Sequence, residues 1–335
     1  MRVLENPFFI LAPMDDVTDT VFRQVITSLA KPDMFFTEFV NVDGLQSPGR
    51  QKLLKKLRFT QTDTPLVAQL WGKNPDNFRK TAEQIADGSL AAELGLRDGV
   101  NYAGVDLNMG CPQKKEVNGG TCSALINDRP LAEEIIDATR SGIGGKLPLS
   151  VKTRLGYNEV DLSWPEFLLN KRINMLTMHG RTRKQMSKVP ADWELIGKVR
   201  EIRDRIAPET LIVGNGDVRN KRHGLELAMK YKLDGIMIGR GIFHDPFAFA
   251  PASDWEDMPA SAKLGLYKKH IELFLATWRA GDRPIHTLNK FCKIYINGFD
   301  GAKELREKLM SANDGWELLD ILGQAAETYV GAELI

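Results

Sequence analysis

Residues 104–112 read Gly-Val-Asp-Leu-Asn-Met-Gly-Cys-Pro, an apolar, strand-like run that ends on a Gly-Cys-Pro turn. Further short apolar runs lie on either side of it, and most of them are continuous rather than alternating. Continuous apolar strands are typical of a parallel sheet whose faces are covered by helices. The eight runs are Phe8–Met14, Met34–Phe39, Leu66–Leu70, Gly104–Asn108, Leu147–Thr153, Met175–His179, Leu211–Gly214 and Gly235–Gly239.

Segments with helical periodicity lie between several of these runs. Asp76–Ala86 is one, Pro130–Ser141 follows Asp128 as a predicted N-cap, and Asn220–Lys230 is a third. Eight β–α units over about 250 residues predict an α/β fold, a (β/α)8 TIM barrel, across residues 1–251. An open doubly wound sheet is the alternative, but its usual glycine-rich turn after the first strand is replaced here by Ala-Pro-Met-Asp-Asp.

The sequence pattern changes after Pro251. Residues 252–259 have the composition of a polar linker, and no strand signal follows them. The sequence therefore predicts a small all-helical C-terminal domain over residues 260–335. The predicted helices are Ala260–Ala280, Pro284–Ile296, Ala302–Ser311 and Gly315–Val330.

This tail is rich in basic residues. They form either a solvated helix face, which is the usual meaning of surface charge, or a stripe that binds phosphates. The basic residues are Lys263, Lys268, Lys269, His270, Arg279, Arg283, Lys290, Lys293, Lys303, Arg306 and Lys308.

Composition places the 335-residue chain among ordinary globular proteins, with 43% hydrophobic and 27% charged residues. The net charge of +1 gives no global attraction to nucleic acid, so a polyanion would need a local basic face. The three cysteines include no CxxC pair, which argues against a disulfide framework and a zinc site, and Cys122 and Cys292 are expected to be packing residues. The sequence shows neither a leader pattern nor an apolar run of about 18 residues, so we expect a cytoplasmic monomer without a metal or a membrane span.

Polar residues occur at the carboxyl end of nearly every predicted strand. Each alone has an ordinary explanation, because an amide can cap a loop, a lysine can pair with an acid, and a histidine or a turn cysteine can be packed and satisfied. In a barrel, however, these ends meet at the face that carries the active site. The end residues are Ala12 to Met14, Thr37 and Glu38, Gln69, Asn108 and Cys111, Lys152 and Arg154, His179 to Thr182, Asn215 to Asp217, and Gly239 to Gly241.

The last two strand ends carry glycine-rich turns, Gly214–Asp217 and Ile238–Gly241. Barrels commonly bind a phosphate at these two turns through backbone N–H groups, and Arg240 can add a charged hydrogen bond. A cofactor anchored there would lie over the barrel mouth, where Lys152 and Gln69 reach its ring. A lysine that stabilises charge on a reduced ring and an amide that faces a pyrimidine-like edge are what a flavin mononucleotide (FMN) site needs.

The chain resembles the tRNA-dihydrouridine synthases, because a series of short motifs follows the order of that family, and the helical tail is similar to the family's RNA-binding domain. The motifs are Leu11–Met14, Thr37–Glu38, Asn108–Pro112, Val151–Arg154, His179–Thr182, Asn215–Asp217 and Gly239–Arg240, with Gly301–Arg306 in the tail. The resemblance implies an FMN-dependent enzyme that NADPH reduces and that acts on uridines in tRNA, with Cys111 as the proton donor. The residues that it implies for FMN are Pro13, Met14, Asp15, Gln69, Lys152, His179, Asn215, Gly216, Asp217, Gly239 and Arg240.

Reduction of the uracil 5,6 double bond needs a hydride at C6 and a proton at C5. Reduced FMN would supply the hydride and Cys111 the proton, because an unperturbed thiol with a pKa of about 8.5 is protonated at neutral pH. Asn108, His179 and Arg181 are candidates for holding the uracil oxygens. Lys114 and Lys115 are candidates for facing RNA phosphate. The base must flip out of its stack to reach the site.

Three other functions stay open on the sequence. An FMN barrel could reduce a free pyrimidine or an enone, but such a substrate does not need the basic tail. An RNA-binding protein without catalytic activity does not need Cys111, Lys152 and His179. Bound flavin would argue against that RNA-binding protein, and a phosphosugar isomerase on a barrel would be colourless.

Overall fold

The structure is a computed structural model that describes residues 7–97, 99–279 and 282–333. Its strands form one parallel sheet. They are β1 (Phe8–Leu11), β2 (Met34–Phe36), β3 (Val40–Asn41), β4 (Leu66–Trp71), β5 (Gly104–Met109), β6 (Leu149–Arg154), β7 (Met175–His179), β8 (Leu211–Asn215) and β9 (Gly235–Ile238).

The sheet closes into a barrel. β1 pairs with both β2 and β9, β2 pairs with β4, and the order then runs from β4 through β9, so eight strands surround the interior. The two-residue strand β3, which the sequence did not predict, pairs with β4 beyond the part of β4 that pairs with β2. The (β/α)8 TIM barrel is therefore confirmed, and each of the eight predicted runs overlaps one barrel strand, with four strands ending one residue later than predicted. β1 stops at Leu11, two residues before Pro13, which has no N–H for a sheet ladder.

Helices cover the barrel and form the tail. In the described part of the chain they are α1 (Thr20–Ala30), α2 (Val42–Leu45), α3 (Arg50–Leu54), α4 (Pro75–Ala86), α5 (Ser89–Glu93), α6 (Lys114–Asn118), α7 (Arg129–Ile143), α8 (Ser163–Asn170), α9 (Trp193–Ile206), α10 (Lys221–Tyr231), α11 (Ala260–Thr277), α12 (Asn289–Tyr295), α13 (Ala302–Ser311) and α14 (Gly315–Glu333). Short 3₁₀ helices span Cys122–Ile126, Arg240–Phe243 and Ile285–Leu288.

The three helices predicted between strands are present, and polar side chains cap them. Asp128 accepts the N–H of Leu131 at the start of α7, as predicted, and Asn220 accepts the N–H of His223 at the start of α10. These caps satisfy N–H groups that the first helical turn leaves without a partner.

The alternation of side chains along each strand separates the two faces of the barrel wall. On β5, Val105 and Leu107 belong to the large core beneath the helices, while Asp106 and Asn108 face the interior. On β1, Phe8 and Ile10 belong to a second, interior core cluster. The interior is thus apolar at the amino ends of the strands and polar toward their carboxyl ends.

The tail packs on the barrel through one continuous core. Phe291 of α12 stacks on Phe22 of α1 with ring centroids 5.0 Å apart, and the core cluster extends from barrel residues into the tail. The segment 252–259 contains neither helix nor strand, but its Trp255 is only 3% exposed and belongs to that core. The segment is therefore not the purely polar linker that its composition predicts.

The predicted tail helices are largely present, with changes at their ends. The first ends at Thr277, and Ala280 lies outside the described residues. The second divides into a 3₁₀ turn and α12, while Ala302–Ser311 has the predicted bounds. The predicted domain limits at residues 1 and 335 also lie outside the described residues.

Within the described ranges, none of the helices combines the length and the apolar composition that a bilayer crossing needs.

Candidate active site

A cavity of about 1150 Å³ opens at the carboxyl ends of the barrel strands. It is larger than most small-molecule sites, so it has room for a cofactor and a second ring above it. The structure brings most of the predicted site residues to this cavity. Those that line it are Pro13, Met14, Gln69, Asn108, Cys111, Lys152, His179, Asn215, Gly216, Asp217, Gly239 and Arg240.

The floor of the cavity is a chain of hydrogen bonds between neighbouring strands. Gln69 Nε2 donates to Asp106 Oδ2 at 2.8 Å, and Asn108 Nδ2 donates to Gln69 Oε1 at 3.2 Å. Ser150 Oγ donates to the other oxygen of Asp106 at 2.5 Å. Because each amide oxygen here already accepts a bond, the hydrogens that remain on Gln69 and Asn108 are donors, which suits a ligand with carbonyl groups.

Burial shifts the pKa values of two charged residues at this floor, Asp106 and Lys152. It raises the pKa of Asp106 to about 6, although the bonds from Ser150 and Gln69 favour the carboxylate. It lowers the pKa of Lys152 to about 8, and the charge of Arg154 acts in the same direction. Lys152 can therefore hold or release a proton near neutral pH, beside whatever ring occupies the cavity.

His179 is held as a neutral ring. Burial lowers its pKa well below the usual value, and the nearby cations Arg154 and Lys152 add to the effect. Asn215 Nδ2 donates to the Met237 carbonyl, so Asn215 Oδ1 must accept from His179 Nδ1, 2.8 Å away. His179 Nε2 then accepts from Arg181 Nη1 at 3.2 Å.

The end of the cavity that is formed by the glycine-containing turns after β8 and β9 carries positive charge. Gly216 has a φ of +126°, and the next residue, Asp217, is left-handed at +54°. Asp217 accepts from Arg240 Nη2 at 3.0 Å and also pairs with Arg181. Arg240 is 58% exposed, and the 3₁₀ turn Arg240–Phe243 begins at the cavity wall. This end is suited to a phosphate, because it offers a free guanidinium edge and a glycine turn.

The loop that carries Cys111 is fixed through its backbone. Asn108 Oδ1 accepts the N–H groups of Gly110 and Cys111 at 3.2 and 3.0 Å. Arg154 Nε donates to the Gly110 carbonyl at 2.8 Å, and Ser123 Oγ donates to the Cys111 carbonyl at 2.8 Å. The Cys111 thiol is left to face the cavity.

Four predicted site residues do not line the cavity. Asp15 is ion-paired with Lys56, and Lys114 and Lys115 are exposed at the start of α6. Arg181 is 2% exposed and supports His179 and Asp217 from outside the cavity. Contact of Arg181 with the substrate stays a prediction that this arrangement does not favour.

Several cavity residues were absent from the predicted site. Arg154 was identified as a strand-end residue but received no role, although the period-two pattern of β6 places it above Lys152. The others lie between β2 and β3, after β8, in the first turn of α10 and after β9, where sequence periodicity does not predict a position on the cavity. They include Phe39, Arg219, Arg222, His244 and Trp255.

The strand end Thr37–Glu38, also identified from the sequence, has a different use. Glu38 is fully buried and pairs with Arg283 of the tail, 245 residues later in the chain. Arg283 lies over the Trp278 ring at 5.1 Å and beside Asp19 at 3.6 Å. This buried network joins the tail to the rim of the barrel.

Asp15, Asp16 and Glu38 lie close enough together to resemble a metal-ligating group. Their charges are already met by the chain, because Lys56 pairs with Asp15 and Arg283 lies near both of the others. We therefore infer no metal site from this cluster.

Comparison with known proteins classifies the chain. A family model described as dihydrouridine synthase (Dus) matches residues 10–330, which include both the barrel and the tail. The chain belongs to the dihydrouridine synthase family. A probable tRNA-dihydrouridine synthase of Staphylococcus aureus (strain COL) is 45% identical over 311 residues, which cover 92% of this chain and 90% of the relative. A probable tRNA-dihydrouridine synthase 2 of Bacillus subtilis (strain 168) is 42% identical over 333 residues, 98% of this chain and 97% of the relative.

Among solved structures, histamine dehydrogenase from Rhizobium sp. 4-9 aligns with a TM-score of 0.49 and 12% identity, over 79% of this chain and 48% of that one.

Membership of the dihydrouridine synthase family makes this chain an enzyme and supports a flavin as its cofactor. The donor set of the cavity fits such a group. Lys152 and Gln69 offer hydrogens to a ring with carbonyl oxygens, and Arg240 offers a guanidinium to a phosphate at the other end. The residues present therefore fit a flavin with one phosphate.

Proposed function

We propose that this enzyme reduces the 5,6 double bond of uridines in tRNA, with FMN in the barrel cavity and NADPH as the electron donor. The observation that carries the proposal is that the Cys111 thiol lies on the same cavity as the donor set suited to a flavin. The relatives named as probable tRNA-dihydrouridine synthases support the choice of tRNA as the substrate.

The residues have different roles, according to the chemical groups that they expose to the cavity. FMN held by the donor set of the cavity would supply the hydride for C6 of the uracil. Cys111 donates its proton to C5, so that the electron pair of the double bond forms the new C–H bond. The spare N–H of Asn108 donates to a uracil carbonyl, and Lys152 balances charge on the cofactor side. His179 and Asn215 shape the wall of the cavity through their mutual hydrogen bond.

Recognition of tRNA is assigned to the tail, as a helical domain over residues 260–335 beside a catalytic barrel over residues 1–251. Of the basic tail residues, Lys263, His270 and Arg283 are buried and serve the core. The exposed ones remain for phosphate contacts, and they are Lys268, Lys269, Arg279, Lys290, Lys293, Lys303 and Lys308. Because tRNA is the substrate, we place the enzyme in the cytoplasm, and we propose that it acts as a monomer.

The proposal is tested by identifying the product of the reaction. Purified protein should show flavin absorbance, and with NADPH it should form dihydrouridine in unmodified tRNA transcripts, located by position-by-position mapping. Free uridine and a simple enone are the matched alternative substrates. Reduction of those compounds, with tRNA left unmodified, would show that the enzyme acts on small molecules instead.

Loss of the Arg240 guanidinium is expected to weaken FMN binding. A charged hydrogen bond to phosphate contributes about 1.5–3 kcal/mol, so the dissociation constant of FMN in Arg240→Ala should rise roughly 10- to 100-fold. Equilibrium dialysis followed by flavin fluorescence measures this change. Arg222→Ala is the control, because Arg222 also lines the cavity but is 86% exposed and lies beside Glu226. Equal FMN affinity in wild type and Arg240→Ala would contradict the phosphate assignment.

A further inference from the structure

A second cysteine lies directly behind Cys111. Cys122 is 0% exposed and begins the 3₁₀ turn after α6, whereas Cys111 is partly exposed on the cavity. Both thiols are free, and their side chains are hydrogen-bonded to each other. Ser123, the residue after Cys122, holds the Cys111 carbonyl through both its N–H and its Oγ, at 3.4 and 2.8 Å. Ser123 thus holds the loop of Cys122 against the loop of Cys111, next to the hydrogen bond between the two side chains.

The backbone of Cys122 is in an unfavourable conformation. Its φ is +56°, in the left-handed region that disfavours residues with a Cβ by about 1–2 kcal/mol. A glycine would adopt this conformation without that strain. The side chain of Cys122 is therefore present at a position where the backbone alone would prefer glycine.

The surroundings fix which thiol donates. Cys122 is fully buried, and both its bond to Cys111 and burial raise its pKa, so it keeps its proton. The pKa of Cys111 is lowered, first by the hydrogen bond from Cys122, and the charge of Arg154 acts in the same direction. Burial and the carboxylate of Glu116 oppose this shift, and Lys152 faces the same sulfur from β6. Cys122 is therefore the donor, and the sulfur of Cys111 is the acceptor.

We propose that Cys122 is a positioning residue, whose S–H donates to Cys111 Sγ and stabilises the thiolate that remains after Cys111 has given its proton to uracil C5. The inference rests on the proposed function. In the balanced step, the S–H bond of Cys111 breaks as the C5–H bond forms, and Cys111 regains a proton from water before the next turnover. Cys122 keeps its own proton throughout.

The test measures the thiolate of Cys111 directly. Full-length protein is treated with iodoacetamide from neutral to alkaline pH, and mass spectrometry follows alkylation of the Cys111 peptide. Cys122→Ala removes the donor and keeps the strained backbone, while Cys122→Gly removes both. Loss of one hydrogen bond to the thiolate is expected to move the midpoint of Cys111 alkylation upward by roughly one pH unit in both variants. Cys292→Ala, which removes a buried thiol of the tail, is the control and should leave the midpoint unchanged.

Folding of each variant is checked by circular dichroism. If Cys122→Ala does not fold, Cys122→Gly provides the measurement instead. An unchanged midpoint in a folded variant of either kind overturns the proposal. The alkaline limb of the uridine reduction rate should move by the same amount, with KM for tRNA unchanged, and a lower rate without that movement also overturns it. Because alkylation needs neither FMN nor tRNA, failure of the proposed function would appear separately, as unmodified tRNA beside a shifted midpoint.

Discussion

Cys111→Ala is expected to keep FMN and to lose uridine reduction by about 10²- to 10⁴-fold, which is the usual contribution of one positioned proton donor. The loss should be specific, because the backbone of the loop is also held by bonds that do not involve the thiol. Asn108 holds the N–H of Cys111, and Ser123 holds its carbonyl. An alanine therefore leaves these backbone bonds in place and removes the proton donor, together with the sulfur that accepts from Cys122.

Two measurements separate the proton step from the rest of the reaction. Stopped-flow absorbance follows reduction of the bound flavin by NADPH, which should be unchanged in Cys111→Ala. Single-turnover formation of dihydrouridine in tRNA should be slow in the same preparation. Cys292→Ala, whose sulfur lies in the tail core, should match wild type in both. A wild-type rate of dihydrouridine formation in Cys111→Ala would remove Cys111 from the proton-donor role.

The barrel and most of its cavity were predictable because they follow local rules. Continuous apolar runs identified the strands, and the carboxyl ends of parallel strands must meet at one face. The two-residue alternation then places Asn108 on β5 and Lys152 on β6 toward the interior, where they are paired in register. Each of these steps needs only neighbouring residues along the chain.

The features that the sequence did not reveal depend on partners distant in the chain. Arg181 follows His179 by two residues, but the turn at Gly180 directs it to Asp217 and away from the cavity. Cys122 was expected to be a packing residue, and its contact with Cys111 arises only when two loops close on each other. No periodicity records such contacts, because they depend on how loops and side chains pack in three dimensions.

The contact between tail and barrel also depends on residues that are distant in the chain, since Glu38 and Arg283 are 245 positions apart. Burial raises the pKa of Glu38 to about 7 even with Arg283 beside it. Folded protein therefore binds more protons at this site than unfolded protein, whose glutamate has a pKa of 4.5. The stability contributed by Glu38 is complete below about pH 4.5 and is lost as the pH rises through about 7. Arg283 limits this loss, because its charge favours the carboxylate.

Arg283→Met is accordingly expected to destabilise the fold by about 3–5 kcal/mol at roughly pH 8, the usual effect of leaving a buried charge without its partner. At about pH 5 Glu38 would be protonated in the variant, so the loss should be much smaller. Asp19 adds little to it, because its carboxylate keeps the N–H of Phe22 and the Nε1–H of Trp278. Urea unfolding at the two pH values gives both free energies.

The double variant Glu38→Gln, Arg283→Met separates charge from packing. It replaces the ion pair with neutral side chains of similar length, so it should recover most of the stability that Arg283→Met loses at alkaline pH, and its remaining loss should not vary with pH. Lys230→Met, which breaks an exposed pair with Glu194, should change the free energy of unfolding by less than about 1 kcal/mol at either pH. An equal loss for Arg283→Met at both pH values would mean that the packing of Arg283 on Trp278, and not its charge on Glu38, holds the tail against the barrel.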